Sequence, residues 1–167
     1  MTTPPTSQLR KRLLKDARLL AAPSTELDVK AGATVAYSSE QPDHPVDNIF
    51  DGRDGPHGTF WASASTDTTE TILLEFDQPQ NISRLIFEAE ERRVERTQEV
   101  RLEVSSDGGN SFRQLLVQEF VFSPAGATFQ REDLRLSAVG VSHLRLTIVP
   151  HKNGSGRAAI TSLRLFE

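Results

Sequence analysis

Residues 98–120 read QEVRLEVSSDGGNSFRQLLVQEF, and their alternation decides the fold class. Val100, Leu102 and Val104 alternate with Arg101 and Glu103, so apolar and charged side chains fall on opposite faces of an extended strand. Asp107-Gly108-Gly109 then interrupts the run as a turn between two strands. The same period of two returns in HLRLTIV (143–149), with Leu144, Leu146 and Ile148, and in LRLF (163–166), with Leu163 and Leu165. Short runs of Val, Ile, Leu, Phe and Thr between Gly, Asp, Asn and Pro clusters predict strands at 33–38, 71–76, 82–89, 98–105, 112–120, 127–136, 142–149 and 158–166. Eight strands without intervening helices leave no room for parallel crossovers, so the predicted class is all-β: an eight-stranded antiparallel jelly-roll β-sandwich.

Upstream the pattern is different. Residues 1–6 are Thr- and Pro-rich, a flexible lead-in; Ser7 can cap a helix from Gln8, and Pro23 ends it. Leu9, Leu13, Ala17 and Leu20 form an apolar stripe, widened by Leu14 and Leu19 and flanked by Arg10, Lys11, Arg12, Lys15 and Arg18. The expected organisation is therefore a lead-in and basic amphipathic N-terminal helix over 1–25, followed by one sandwich domain over 26–167. The whole chain of 167 residues has a net charge of −4, but residues 1–23 hold +4 and the remainder −8. That asymmetry favours the helix packing on its own sandwich or a sister subunit; docking into a partner's groove and attachment to a membrane surface or nucleic acid are the other readings.

Composition excludes several classes. With no cysteine there is no disulfide framework, thiolate nucleophile or cysteine-ligated metal. No apolar run nears the roughly 18 residues of a membrane span, and no signal-peptide core follows the N-terminal charges, so the expected location is cytoplasmic. The acidic balance argues against nucleic acid as a partner. Phosphate-loop, nucleophile-elbow and zincin motifs are missing. His44, His57, His143 and His151 are scattered, with His143 inside a strand, and the pairs Glu90-Glu91 and Glu132-Asp133 have no catalytic spacing. No enzymatic activity is expected. Ser105, Asp107, Gly109, Ser111 and Phe112 match an Asp-box hairpin, but a single copy with no 20- to 50-residue repeat reads as structural, not as a propeller.

Residues 36–63, AYSSEQPDHPVDNIFDGRDGPHGTFWAS, precede the apolar strand TILLEF. Ser38-Ser39, then Asn48 with Asp51-Gly52, then Thr59, Trp61 and Ser63, then Leu74 to Phe76 resemble the discoidin family, also called coagulation factor 5/8 type C domains, among the galactose-binding-like jelly rolls. The likeness continues through ISRLIFEA (82–89), the 99–112 hairpin and the final VSHLRLTIV and AAITSLRLF runs, covering about residues 30–167. His44, Pro45, Asn48, Asp51, Gly52, Thr59, Phe60 and Trp61 are similar to the calcium-binding, intraflagellar-transport branch of that family. The resemblance implies a calcium ion held by oxygens of Asn48, Asp51 and Thr59. Two departures stand beside it: six residues, Arg53 to Gly58, lengthen the loop, and Thr161-Ser162 stand where many relatives have a ligating Glu. Without the resemblance, the same turn reads either as short polar side chains bonding their own backbone or as a metal-holding turn. Trp61 reads as sandwich core.

Ligands of such sandwiches meet loops at one end. Three loops have suitable chemistry: RDGPHG with Arg53 and His57; EERRVERTQ with Arg92, Arg93 and Arg96; PHKNGSGR with His151, Lys152, Asn153 and Arg157. Together they predict a basic rim for carboxylates, phosphates or sugar hydroxyls, while each alone also reads as a solvated loop. One Trp, one Tyr and nine Phe, mostly at inward strand positions, leave little for a sugar-stacking platform. The expected function is a non-catalytic, intracellular protein-interaction adaptor; the alternative is a carbohydrate-binding module with a calcium-stiffened loop.

Overall fold

Two strands much longer than the sequence suggests organise the molecule. The computed structural model of the chain describes residues 25–167, so the predicted helix over 8–22 lies outside the described residues. After a short helix α1 (Val29–Gly32), whose first turn is capped by Asp28 accepting from the Ala31 N–H at 3.1 Å, come β1 (Ala33–Tyr37), a 3₁₀ turn (Val46–Phe50) and β2 (Trp61–Thr66). Then follow β3 (Glu70–Glu90), β4 (Arg96–Ser105), β5 (Arg113–Phe122), β6 (Phe129–Asn153), β7 (Arg157–Ile160) and β8 (Ser162–Phe166). Among the described residues no helix is long and apolar enough to cross a membrane.

The predicted strands 71–76 and 82–89 are the two halves of β3, and 127–136 and 142–149 the two halves of β6. Asp77-Gln78-Pro79-Gln80 reads as a loop in sequence, yet it is an irregular bend: the β3–β6 register shifts between Glu75 and Arg84 while pairing resumes beyond it. Gly140, at φ 65°, allows the matching bend in β6. The first half of β3 lies between β1 and β6; its second half lies between β6 and β8. With β4 and β5 continuing outward from β6, the path is β1-β3-β6-β4-β5, all antiparallel. The bends carry β3 and β6 from one layer into the other, so that Phe87 of β3 meets Phe120 of β5 edge-on at 5.2 Å. The expected antiparallel, galactose-binding-like β-sandwich is what forms.

Alternation places the core where the sequence reading puts it. Leu85 and Phe87 of β3, Val100 and Leu102 of β4, Leu144, Leu146 and Ile148 of β6, and Leu163 and Leu165 of β8 are buried, while Arg101 is exposed. Each such side chain contributes roughly 1.5–3 kcal/mol by leaving water. Trp61 is fully buried as expected and donates its Nε1–H to the Ser39 carbonyl at 3.0 Å.

The strand β2 was not legible: in WASAST the first three residues are all buried and the last three all exposed. It pairs with β7 as a separate ribbon. The predicted strand 158–166 divides at Thr161, whose N–H donates to the Glu88 carbonyl, giving β7 and β8 different partners. The 105–112 hairpin is a self-bonded turn. Ser105 and Ser111 hydroxyls donate to the Asp107 carboxylate at 2.6 and 2.5 Å, and the Ser111 N–H at 2.9 Å. These three bonds hold the Asp107 carboxyl well below the usual carboxylate range. At the chain's ends, Leu27 N–H donates to Leu165 and Glu167 N–H to Thr25, pinning the first described residues beside β8.

Candidate ligand-binding loops

All three loops singled out in the sequence come together where β3 ends, β4 begins and β6 runs out. Glu88 and Glu90 project from the same face of β3. Glu88 accepts the Gly55 N–H at 2.8 Å and Glu90 the His57 N–H at 3.0 Å, which fastens the 53–58 loop to the strand. Arg92 Nη1 donates to His57 Nδ1 at 2.6 Å. On the other side, Gly154 and Gly156 press against Arg96; a Cβ on Gly154 would lie 2.5 Å from the Glu95 carbonyl oxygen. Asp67, in the β2–β3 turn, accepts from the Gly156 N–H at 2.8 Å and the Ser155 hydroxyl at 2.7 Å, bonds that lower its pKa.

Four departures from ordinary backbone and hydrogen-bonding chemistry fall on this one end. His57 (φ 63°) and Asp67 (φ 58°) are the positive-φ non-glycine residues among the described residues. Glu90 Oε1 and His151 Nδ1 are the buried side-chain polar atoms there that have no hydrogen-bond partner. Glu90 is 10% exposed, with Oε1 at 3.7 Å from His57 Nδ1 and 3.6 Å from Arg92 Nε, beyond hydrogen-bond reach of both. His151 Nδ1 lies 3.9 Å from Asp67 Oδ1. Strained residues and unsatisfied buried groups each cost on the order of 1–3 kcal/mol, and their concentration in one place makes these loops the candidate site.

The predicted rim divides into two groups. Arg53, Arg92 and Arg93 are exposed, His57 is exposed beside Arg92, and His151 is half-buried; these surround the loops. Asn153 is exposed opposite Thr97 at the end of β6. Arg96 is a correction: its side chain is 1% exposed, donating to Glu91 at 3.2 Å and the Pro150 carbonyl at 2.7 Å, and burial lowers its pKa. Lys152 lies along the sheet face between Glu119 (2.5 Å) and Glu99 (2.8 Å), bonds that raise its pKa and lower that of Glu99. Arg157 Nη1 donates to the carbonyls of Ser63 and Ala64, tying β7 to β2. Nor is the rim basic overall, because Glu88, Glu90, Glu91, Glu99, Glu119 and Asp67 interleave with the cations. Sequence reasoning weighed Glu90-Glu91 only as a catalytic pair and did not single out Asp67. The available signal was the Glu88/Glu90 alternation at the end of a strand.

Of the implied calcium ligands, Thr59 and Asp51 bond each other, while Asn48 bonds the backbone. Thr59 Oγ1 donates to Asp51 Oδ2 at 2.5 Å, the Arg53 N–H donates to Asp51 Oδ1 at 2.8 Å, and Asn48 Nδ2 donates to the Phe60 carbonyl at 2.9 Å. The three side chains supply one carboxylate, one hydroxyl and one amide oxygen, so most of the six to eight oxygens calcium takes would have to come from backbone carbonyls and water. Among the described residues no group of three or more His, Asp or Glu is placed to hold a metal.

With this geometry established, comparison with known proteins is decisive for the family. A family model described as F5/8 type C domain matches residues 33–163. The chain belongs to the F5/8 type C domain family. This family is one of binding modules, although some structural neighbours are parts of glycoside hydrolases. No curated protein matches the chain significantly. Solved F5/8 type C-like folds superpose well. One is CpGH89CBM32-5 from Clostridium perfringens, in complex with GalNAc-β-1,3-galactose (20% identity, TM-score 0.58, covering 86% of this chain and 100% of that one). A second is the family 32 carbohydrate-binding module of C. perfringens NanJ, in complex with galactose (12% identity, TM-score 0.59, 87% and 100%). A third is a Ruminococcus gnavus GH29 fucosidase, of which this chain spans 26% (15% identity, TM-score 0.64, 86% of this chain). At these identities the likeness is one of fold.

Proposed function

We propose that this F5/8 type C domain is a non-catalytic carbohydrate-recognition module that takes a neutral, hydroxyl-rich ligand at the loops around Glu90 and His151. The observation that carries this reading is the pair of unsatisfied buried polar atoms, Glu90 Oε1 and His151 Nδ1, in the same loop cluster. Glu90 Oε1 is an acceptor in want of a donor and His151 Nδ1 accepts or donates according to its tautomer, while a sugar hydroxyl can do either and also accept from Arg92 or Arg93. Arg92, 56% exposed, covers Glu90 and can swing away from His57 to admit a ligand. The interleaved acids leave no net positive field, which favours a neutral ligand over a phosphate or uronate. Galactose and GalNAc-β-1,3-galactose, held by two structural neighbours, are the first ligands to try.

Trp61 is buried and Phe60 stacks on His44 at 3.9 Å, so recognition here runs through hydrogen bonds rather than ring stacking. That same feature, with Val94 40% exposed beside Arg93, supports the second reading: an intracellular adaptor whose loops meet a protein. A glycan array followed by NMR titration separates them. Binding of a neutral glycan that disappears in Glu90→Ala and His151→Ala, both still folded, is expected. A blank array, with loop resonances that no glycan moves, overturns the carbohydrate reading in favour of the protein one.

A further inference from the structure

Away from those loops, a groove of about 250 Å³ runs between residues 26–30, the end of the 3₁₀ turn and β8. Its floor is apolar, made by Leu27, Val29, Ile49, Phe50 and Leu163, and Leu27 and Phe50 are only half-buried. Glu26 forms one lip, paired with Arg164 at 2.7 Å, and Asp54 lies 3.4 Å from the same guanidinium. None of the groups assigned to ligand recognition lines this groove.

We propose that its occupant is the chain's own segment 7–22, seated in cis through its leucine stripe. The tether supports this choice. Only residues 21–24 separate Leu20 from Thr25, and Glu26 itself lines the groove. At no more than about 3.6 Å per residue, Leu20 stays within about 18 Å of Thr25. So short a link gives an effective concentration on the order of millimolar, enough for a modest apolar contact to hold. Chemistry matches as well: Leu9, Leu13, Ala17 and Leu20 recur at the spacing of one helical face, and the groove offers apolar floor to such side chains. Charge agrees in sign, because residues 1–23 carry +4 and the rest of the chain −8, with Glu26, Asp28 and Asp54 outnumbering Lys30 and Arg164 around the groove.

The chain has no cysteine, so Leu27→Cys in the full chain places a unique thiol on the groove floor. Its alkylation rate is compared with that of the same variant also carrying Leu13→Glu and Leu20→Glu, which spoil the apolar stripe but leave the body untouched. Labelling about tenfold faster in the Glu-bearing chain, at a rate independent of protein concentration, is the expected result. Equal rates overturn the proposal. So does protection that grows with concentration alongside a dimer on sedimentation, which would assign the groove to a second copy's segment. Should Leu27→Cys disturb folding by near-ultraviolet circular dichroism, Lys30→Cys on the groove's rim gives the same comparison.

Discussion

Arg96 reads in sequence as one more rim cation, yet its side chain is almost wholly buried, and its partners are Glu91, Gln98 and the Pro150 carbonyl. Removing one member of a buried pair leaves the other charge stranded, a loss of about 3–5 kcal/mol. Arg96→Ala should therefore lower the unfolding free energy from urea titration by that amount, whereas Arg92→Ala, at an exposed site, should stay within about 0.5 kcal/mol of the parent and lose only ligand. Equal stability losses in the two variants would contradict the division of the rim. At Asp51 the expectation concerns an ion: because Thr59 and the Arg53 N–H each bond one oxygen of the sole carboxylate in the turn, the melting temperature should not respond to chelator or to millimolar calcium. A calcium-dependent rise abolished by Asp51→Ala would restore the ion. At this scale the sequence conveys charge but not pairing. Arg92, Arg93 and Arg96 look alike on the page, and only the burial of β4's first residue and the two glycines pressed against it separate the third from the others.

Between elements, contacts of a different kind decide what stays together. Gln98, fully buried in β4, donates Nε2–H to the Ala159 carbonyl at 2.9 Å and accepts the Ala159 N–H at 3.1 Å, fixing the β2–β7 ribbon to the main sheet. Gln98→Leu keeps the volume but strands two backbone groups, so a loss of about 2–4 kcal/mol is expected in chemical unfolding. Gly154, at φ 92°, has no room for a Cβ against Glu95 and Arg96. Gly154→Ala should cost more than about 1 kcal/mol and weaken ligand binding, since the 150–157 loop must shift to accept it; an unchanged melting temperature would show that the loop tolerates the displacement. Elements with strict period-two alternation, such as β4 and the halves of β6, are legible because burial on one face imposes that period. Continuity of β3 across Asp77–Gln80 is not, since punctuating residues that usually end a strand here only bend it. The ribbon strand β2 hides because it is buried on both faces at one end and on neither at the other.

For the molecule as a whole, pH acts through its carboxylates. Asp67, Glu99, Asp107 and Asp133 all have depressed pKa values, caused by donors on Gly156, Lys152, Ser105 and Arg84 respectively. A depressed folded-state pKa supplies stability that is fully present above the unfolded value, about 4 for a carboxylate, and is lost as pH falls through the folded one. The urea midpoint should thus change little between about pH 8 and 5 and drop below about pH 4; a decline already under way at pH 6 would point to other groups. The fold class was legible at this scale because hydrophobic patterning sets it; the strand order was not, since two of the strands are continuous across bends that read as loops. The candidate end was legible as three loops but not as a neutral surface, since neutrality arises from acids that folding brings to the cations.

The first described residues run antiparallel to β8, with Thr25 bonded to Glu167 and Leu27 to Leu165, so Thr25 and Glu167 lie side by side. A pull applied at Thr25 and Glu167 loads those bonds singly and in succession, as a zipper opens, and β8 peels from β3 in the same manner. Optical tweezers should find the domain yielding at low force from its ends, and resisting far better when gripped across β3 and β6, whose long ladder would have to shear all at once.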